Sequence, residues 1–306
     1  MKRISYIITA FMLLNLCMSC QKTEAPFDKS TSERTEYELD RYRFALQARE
    51  TWVVEYFPDA DLAYGGWVFV MKFGEQNRVQ MWFEGSTFVG DDPVTESEYV
   101  VEQGTGPMLK FRTHNDYLHW FTFPGGPNGS GYNAFEGDFE FKIMSVSPAY
   151  DEIILRGNRT GNMIRMYPLP SEYTPESFVE TVRNEQMAFT DQMMTVVVNG
   201  TELGTLTREN SPVPASFQRY YSSKVWTLKY TYLDENEEEV TVEDKLSVIN
   251  LPGRVMKLYK PYVFEHEALP YLRGNSMQIF EWKLGAVSPM DCYICTDSFM
   301  EIQIRQ

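Results

Sequence analysis

Three histidines, four cysteines and a scatter of carboxylates are the residues from which this sequence could build chemistry. His114 and His119 are five residues apart, so on one strand they point to opposite faces and cannot share a metal ion without a bend. His266 lies far from both, and no HExxH-type helical pair is present. With so little histidine and no G-x-S-x-G elbow, a Ser-His-Asp centre finds no support. We therefore expect no metal site, no cofactor and no enzymatic activity. Cys292 and Cys295 form a lone CxxC, which in a redox role would place the first thiol at a helix N-terminus. The repeat described below puts them on a strand instead. Residues i and i+3 of a strand lie roughly 10 Å apart, and a disulfide tolerates about 7 Å between Cα atoms. We expect two unpaired, mostly buried thiols.

The carboxylates are less telling. Glu84, Asp138, Glu140 and Glu281 are the sort of residues that would be checked for glycoside hydrolysis, which draws paired carboxylates from distant strands. Nothing in the sequence singles them out. Asp91-Asp92 and the run Asp234–Glu239 lack the D-x-D-x-D-G spacing of a calcium loop and read as solvated hairpin tips. Gly125-Gly126 and Gly129–Gly131 make a Gly-rich loop with no following Lys-Ser/Thr and helix, so it is no phosphate cradle. Trp82 shares a predicted strand face with Gln80 and Glu84. An aromatic among polar groups suits stacking on a ligand ring or anchoring a protein contact, as does Trp120 more weakly, and the other reading of Trp82 is a partly buried side chain at a module interface. These two tryptophans are the candidate ligand-binding residues, and a ligand platform would be concave where an adhesive one would be flat.

The elements that position these residues begin with an address. Lys2 and Arg3 precede the apolar run Ile4–Leu16, then small Ser19 and Cys20, which is the order of a bacterial secretory signal. Thirteen apolar residues fall short of the ~20 that span a bilayer. A Cys directly after the small residue points to lipoprotein processing, with the Cys20 thiol carrying the lipid and Cys17 discarded. Two or three acyl chains anchor far better than one. Residues 20–306 would form the mature chain, and its formal charge of −15 falls to −17 without Lys2 and Arg3. That field excludes nucleic acid, whose binding needs basic patches. The expected partners are the membrane through the anchor and a glycan or peptide ligand, to which the resemblance given below adds an outer-membrane protein.

Past a tether at 20–29, Ser30 and Glu33 form a capping box, with Leu39, Tyr42, Ala45 and Leu46 at helical spacing over about 31–50. Then the period changes to two. Trp67, Phe69, Met71 and Phe73 alternate with Val68, Val70 and Lys72, and further strands are expected near 97–102, 108–112, 117–123, 138–146, 151–156 and 161–167. A second helix is signalled by Thr174, Pro175 and Glu176, after which strands resume at Met193–Val198. Helix-then-strands thus occurs twice. "FKIMSVSP" (141–148) lines up with "WKLGAVSP" (282–289), and "GPMLKF" (106–111) with "GRVMKLY" (253–259). We expect a mainly β chain of two tandem antiparallel meander modules, 30–170 and 171–306, each preceded by one helix. Each would be a lipocalin-like barrel or half-barrel, or else a two-sheet sandwich.

At this point the chain resembles a family, the lipoproteins of unknown function from Bacteroidetes. The resemblance rests on "PFDKSTSERTEYEL", "VVEYFPDADLAYGGWVFVMKF", "GPMLKFRTHNDYLHWF", "GDFEFKIMSVSP", "IILRGNRTGNMIRMYPLP" and, more weakly, "VMKLYKPY" with "FEW". It implies a cell-surface or outer-membrane lipoprotein, often associated with nutrient-uptake systems of the SusC/SusD kind. It brings no catalytic residues. His114 stands where the family pattern has Tyr, which argues against an essential histidine there. The function expected is a non-catalytic ligand-binding or accessory component of such a system. A structural or adhesive surface protein is the alternative, and a glycoside or peptide hydrolase comes after it.

Overall fold

The structure, a computed structural model, describes residues 30–86, 92–122, 136–189, 193–198, 201–210, 223–263, 276–281, 291–295 and 302–305. Helix α1 (Thr31–Gln47) starts at the expected capping box. The Ser30 N–H donates to Glu33 Oε2 at 2.8 Å, and the Glu33 N–H returns to Ser30 Oγ at 3.3 Å. The last turns of α1 lie against the first sheet. There Arg43 donates to the Val101 carbonyl at 2.8 Å, and the Trp52 indole N–H reaches the Leu46 carbonyl at 2.8 Å.

Eight antiparallel strands follow: β1 (Trp52–Tyr56), β2 (Trp67–Phe73), β3 (Arg78–Phe83), β4 (Thr95–Gln103), β5 (Pro107–Phe111), β6 (Glu140–Val146), β7 (Ile153–Gly157) and β8 (Met163–Pro168). Each pairs with the next, and β1 closes on β8 from Trp52↔Pro168 to Glu55↔Arg165. The result is a closed barrel, one of the two architectures the alternation allowed. β1 was not foreseen. All five of its residues are buried, and without polar alternation it offers no period to read.

The barrel is filled. Phe69 stacks on Phe83 with centroids 4.7 Å apart, and Tyr56 meets Phe69 and Phe141 edge-on. The expected strand at 117–123 is replaced, as far as Thr122, by the short helix α2 (Asp116–His119); Phe123 lies outside the described residues. The Asn115 carboxamide oxygen accepts the Tyr117 and Leu118 N–H groups, each at 3.1 Å, and this cap wins over the alternation. Phe121, just beyond α2, touches Tyr56, Trp67, Phe69 and Phe83. The segment is apolar all round because it plugs the barrel, and a buried plug mimics the pattern of a strand covered on both faces.

Helix α3 (Pro175–Ala188) has Thr174 as N-cap in a capping box with Ser177, and Pro175 in its first turn. A second meander follows: β9 (Met193–Val198), β10 (Thr201–Arg208), β11 (Val225–Leu233), β12 (Glu239–Leu251), β13 (Val255–Val263), β14 (Ser276–Glu281), β15 (Asp291–Cys295) and β16 (Ile302–Arg305). β16 pairs with β9 and closes a second barrel. The repeat segments "GPMLKF" and "GRVMKLY" run into the fifth strand of each barrel, β5 and β13. The CxxC lies on β15, the seventh strand, so the strand assignment holds. "WKLGAVSP", Cys20 and His266 lie outside the described residues.

The two barrels meet over an apolar joint. Inward residues of β2 and β3 fill the first barrel, while outward Val68, Val70 and Trp82 pack with Phe178 and Val182 of α3 and Ile249 of β12. These strands are apolar on both faces because the outer face is covered as well.

Candidate ligand-binding site

Trp82 belongs to that joint. Its alternation with Gln80 and Glu84 is as expected, but its exposure is not, for the side chain is only 7% exposed. The indole N–H donates to Glu176 Oε1 at 2.7 Å, so Trp82 holds the first turn of α3 on the barrel wall. Its buried edge borders a cleft of about 680 Å³ whose lining includes Lys72, Gln80, Tyr173 and Glu176. Trp120 is half-buried and sits in the aromatic plug, 5.9 Å from Trp67 and 5.0 Å from Phe121 by ring centroid. Neither tryptophan is the exposed platform that strand alternation suggested. For Trp82 the outer face is covered by α3, and for Trp120 there is no strand.

Beneath the joint lies a cation that the sequence did not mark. Lys224 is fully buried, and its ammonium donates to Glu84 Oε1 at 2.7 Å and to the Gly66 carbonyl at 2.8 Å. It also lies 4.2 Å from the Trp67 ring centroid. The same Glu84 oxygen accepts the Val68 N–H at 2.7 Å. Burial pushes the Lys224 pKa down and the Glu84 pKa up, each opposed by the partner's charge. Gly65, at φ +66°, passes so close that a Cβ would overlap that of Lys224. A second ion pair crosses the joint between Lys257 and Glu55 at 2.6 Å. Lys224 and Glu84 are dry, paired and closed in, which suits a pin between two barrels better than a reactive centre.

The other carboxylates are dispersed. Asp138 organises the turn between β7 and β8, accepting the Arg159 and Thr160 N–H groups. Glu140 accepts from Asn158 at 3.2 Å and stands 3.5 Å from Lys110. Glu84 is committed to Lys224, so these three do not converge; the Glu281 side chain lies outside the described residues. His114 and His119 are not on opposite faces of a strand, because α2 turns them together with ring centroids 5.0 Å apart. His114 pairs with Asp116 at 2.9 Å. The Asn115 N–H lies 3.0 Å from His119 Nδ1, and burial lowers the His119 pKa. Among the described residues, no group of three metal-ligating side chains converges. Asp234 is a hairpin tip as expected, folding the turn by accepting the Asn236 and Glu238 N–H groups at 2.8 Å each.

The second barrel holds a different kind of place. β12 and β13 pair from Leu251↔Val255 to Val248↔Leu258, and there the ladder stops. Continued in register it would set Ser247 opposite Tyr259 and Asp244 opposite Tyr262. On its other side β13 slips against β14 between Lys257 and Tyr262. Tyr259, Lys260 and Pro261 thus have no ladder partner among the described residues. Pro261 has no N–H to give a ladder and is confined to edges and bulges. The strands part around a cleft of about 470 Å³ lined by residues that include Leu62, Asp244, Leu246, Ser247, Leu258 and Tyr262.

Asp244 gives this cleft its character. Val242, Leu246 and Val248 belong to the core of the second barrel, and strand alternation puts Asp244 on their face. The Tyr262 hydroxyl donates to Asp244 Oδ2 at 2.7 Å, and the Tyr230 hydroxyl lies 3.3 Å from that of Tyr262. A phenol has one proton. Since Tyr262 gives its proton to Asp244, Tyr230 must donate to Tyr262. Burial raises the pKa of both tyrosines, so both keep their protons at neutral pH. No other hydrogen bond reaches Asp244 among the described residues, which leaves Oδ1 an acceptor at an open seam. Sequence reasoning missed this trio. The signal available was an acid on the apolar face of an alternating strand, eleven to nineteen residues before the positions of a Pro-bearing strand.

No helix among the described residues is long and apolar enough to cross a membrane. Residues 23–273 match the family described as "Domain of unknown function (DUF4302)". No curated protein matches the chain.

Proposed function

From the premise that this chain belongs to the DUF4302 family, we propose that it is a lipid-anchored surface or outer-membrane protein whose second barrel binds a small ligand without transforming it. The single observation that carries this reading is the parted β12–β13 seam, where Asp244 and the Tyr262 that donates to it line a concave space of mixed polar and apolar character. Specific sites are commonly concave, with a few placed polar groups that fix the ligand. The first barrel, packed with aromatics and pinned by Lys224, would be the rigid mount. The order Lys2-Arg3, Ile4–Leu16, Ser19-Cys20 supports export and lipidation at Cys20. The resemblance to surface lipoproteins supports a role as an accessory of an uptake system, with an outer-membrane protein as partner.

Two experiments test this. A thermal-shift screen of the mature chain against glycans, peptides and small charged molecules should yield a class that raises the melting midpoint by mass action. The same class should slow amide exchange at Tyr259–Val263. A screen in which no class does either overturns the binding reading. Metabolic labelling with an alkyne fatty acid should mark the wild type and not Cys20→Ser, and label that survives the substitution overturns the anchor.

A further inference from the structure

The seam also points to the charge of its ligand. Resting on the binding reading above, we propose that the cleft between β12 and β13 takes a cationic amine, with its ammonium against Asp244 and its apolar body against Leu246, Leu258 and the Tyr262 ring. Three independent observations support this. The first is the acceptor. A carboxylate offers about four lone-pair positions, and Tyr262 fills one on Oδ2. Asp244 shares the barrel's interior face, where a charge is costly unless it is paired. A charged donor is the group that best completes it, since hydrogen bonds with both partners ionised are the strong ones.

The second is the lining. Tyr262 stands at the cleft beside Asp244, and an aromatic ring attracts an ammonium through its quadrupole while leaving room for an apolar body. The third is the approach. The hairpin leading into β12 carries Asp234, Glu235, Glu237, Glu238 and Glu239, and the whole chain is at −15, so a cation is drawn to this end of the second barrel. Two lysines also line the cleft. Lys245 points to the outer face, 3.7 Å from Glu209, and Lys260 is exposed on the unpaired stretch of β13. Neither is within salt-bridge distance of Asp244.

The test is calorimetric titration of the mature chain with three probes of one shape, phenethylammonium, 2-phenylethanol and 3-phenylpropionate. Amide-exchange mass spectrometry of the β13 region with each probe then locates any binding. The ammonium should bind about tenfold or more tighter than either analogue, in keeping with the strength of hydrogen bonds to charged groups, and should protect β13. Asp244→Asn should abolish that preference at an unchanged melting midpoint. Tyr262→Phe, which keeps the ring and the carboxylate, should retain it, which separates recognition from mere support of the fold. If the alcohol or the carboxylate protects β13 as well as the ammonium does, the charge assignment is overturned and the binding reading stands. If no probe binds or protects β13 in any variant, both fall.

Discussion

The two barrels share a topology and differ in what fills them. Both are eight-stranded meanders closed first strand to last. The interior of the first is packed with rings, and α2 with Phe121 plugs it at the end where β1 finishes and β2 begins. In the second, the described core is Trp226, Leu228, Tyr230 and smaller apolar groups, and one seam opens at Tyr259–Pro261. A barrel of eight strands has an interior that side chains can just fill or that can hold one small ligand. The difference here is made by inserted residues in one case and by a broken ladder in the other. On the function proposed above, two barrels of one topology divide the work, one serving as a mount and the other keeping a site.

Substitutions can break or sharpen that contrast. The largest effect is expected at the pin. Glu84→Ala leaves the Lys224 ammonium buried without its carboxylate, and should cost about 3–5 kcal/mol in denaturant unfolding. The double substitution Glu84→Leu with Lys224→Met should recover most of that loss. A single-variant cost near zero would show that the pair is not a pin. In the filled barrel, Phe121→Ala should lose about 3–5 kcal/mol, because the surrounding rings cannot collapse into the space. In the open barrel, Tyr262→Phe should cost only about 0.5–1.5 kcal/mol, the net value of an ordinary hydrogen bond. Equal costs in the two barrels would erase the distinction. Amide exchange should show the same asymmetry without mutation. Tyr259 and Lys260, which lack ladder partners among the described residues, should exchange by local opening, and Phe69 and Met81 only by global unfolding.

The smallest effect concerns pH. Burial lowers the His119 pKa below its ordinary value, so the unfolded chain binds the proton more readily than the folded one. The stability this confers is fully present above the unfolded value of about 6.5. It is lost as pH falls from there through the folded pKa, with a slope below one proton. His119→Asn should flatten the unfolding midpoint over that window, and a slope that survives belongs to another group.

Much of the frame was legible before any coordinates. Ser30-Glu33 and Thr174-Pro175 mark both helix starts because caps are local chemistry, satisfied by the three or four residues that follow. Period two exposed β2, β3 and most later strands of the first barrel, since one face of each looks inward. Two strand-like patterns misled for one reason, that burial on all sides removes the contrast on which periodicity depends. β1, covered on both faces, carried no alternation, and the plug at 117–121 imitated a strand. The sites fared worse. Trp82 was placed on the right face, but whether that face meets water depended on α3 and the second barrel, which arrive from more than ninety residues away. Lys224 and Glu84 are 140 residues apart, and nothing local tells a buried lysine from a solvated one. The same holds for the trio Tyr230, Asp244 and Tyr262, whose residues sit on three neighbouring strands and meet only when the meander forms. The sequence by itself determined the helix caps, the strand-rich character and the twofold order of elements, all of which follow from short-range spacing. Only tertiary structure decided which barrel is filled, which is parted, and which charges are dry, because those depend on long-range packing that no local pattern records.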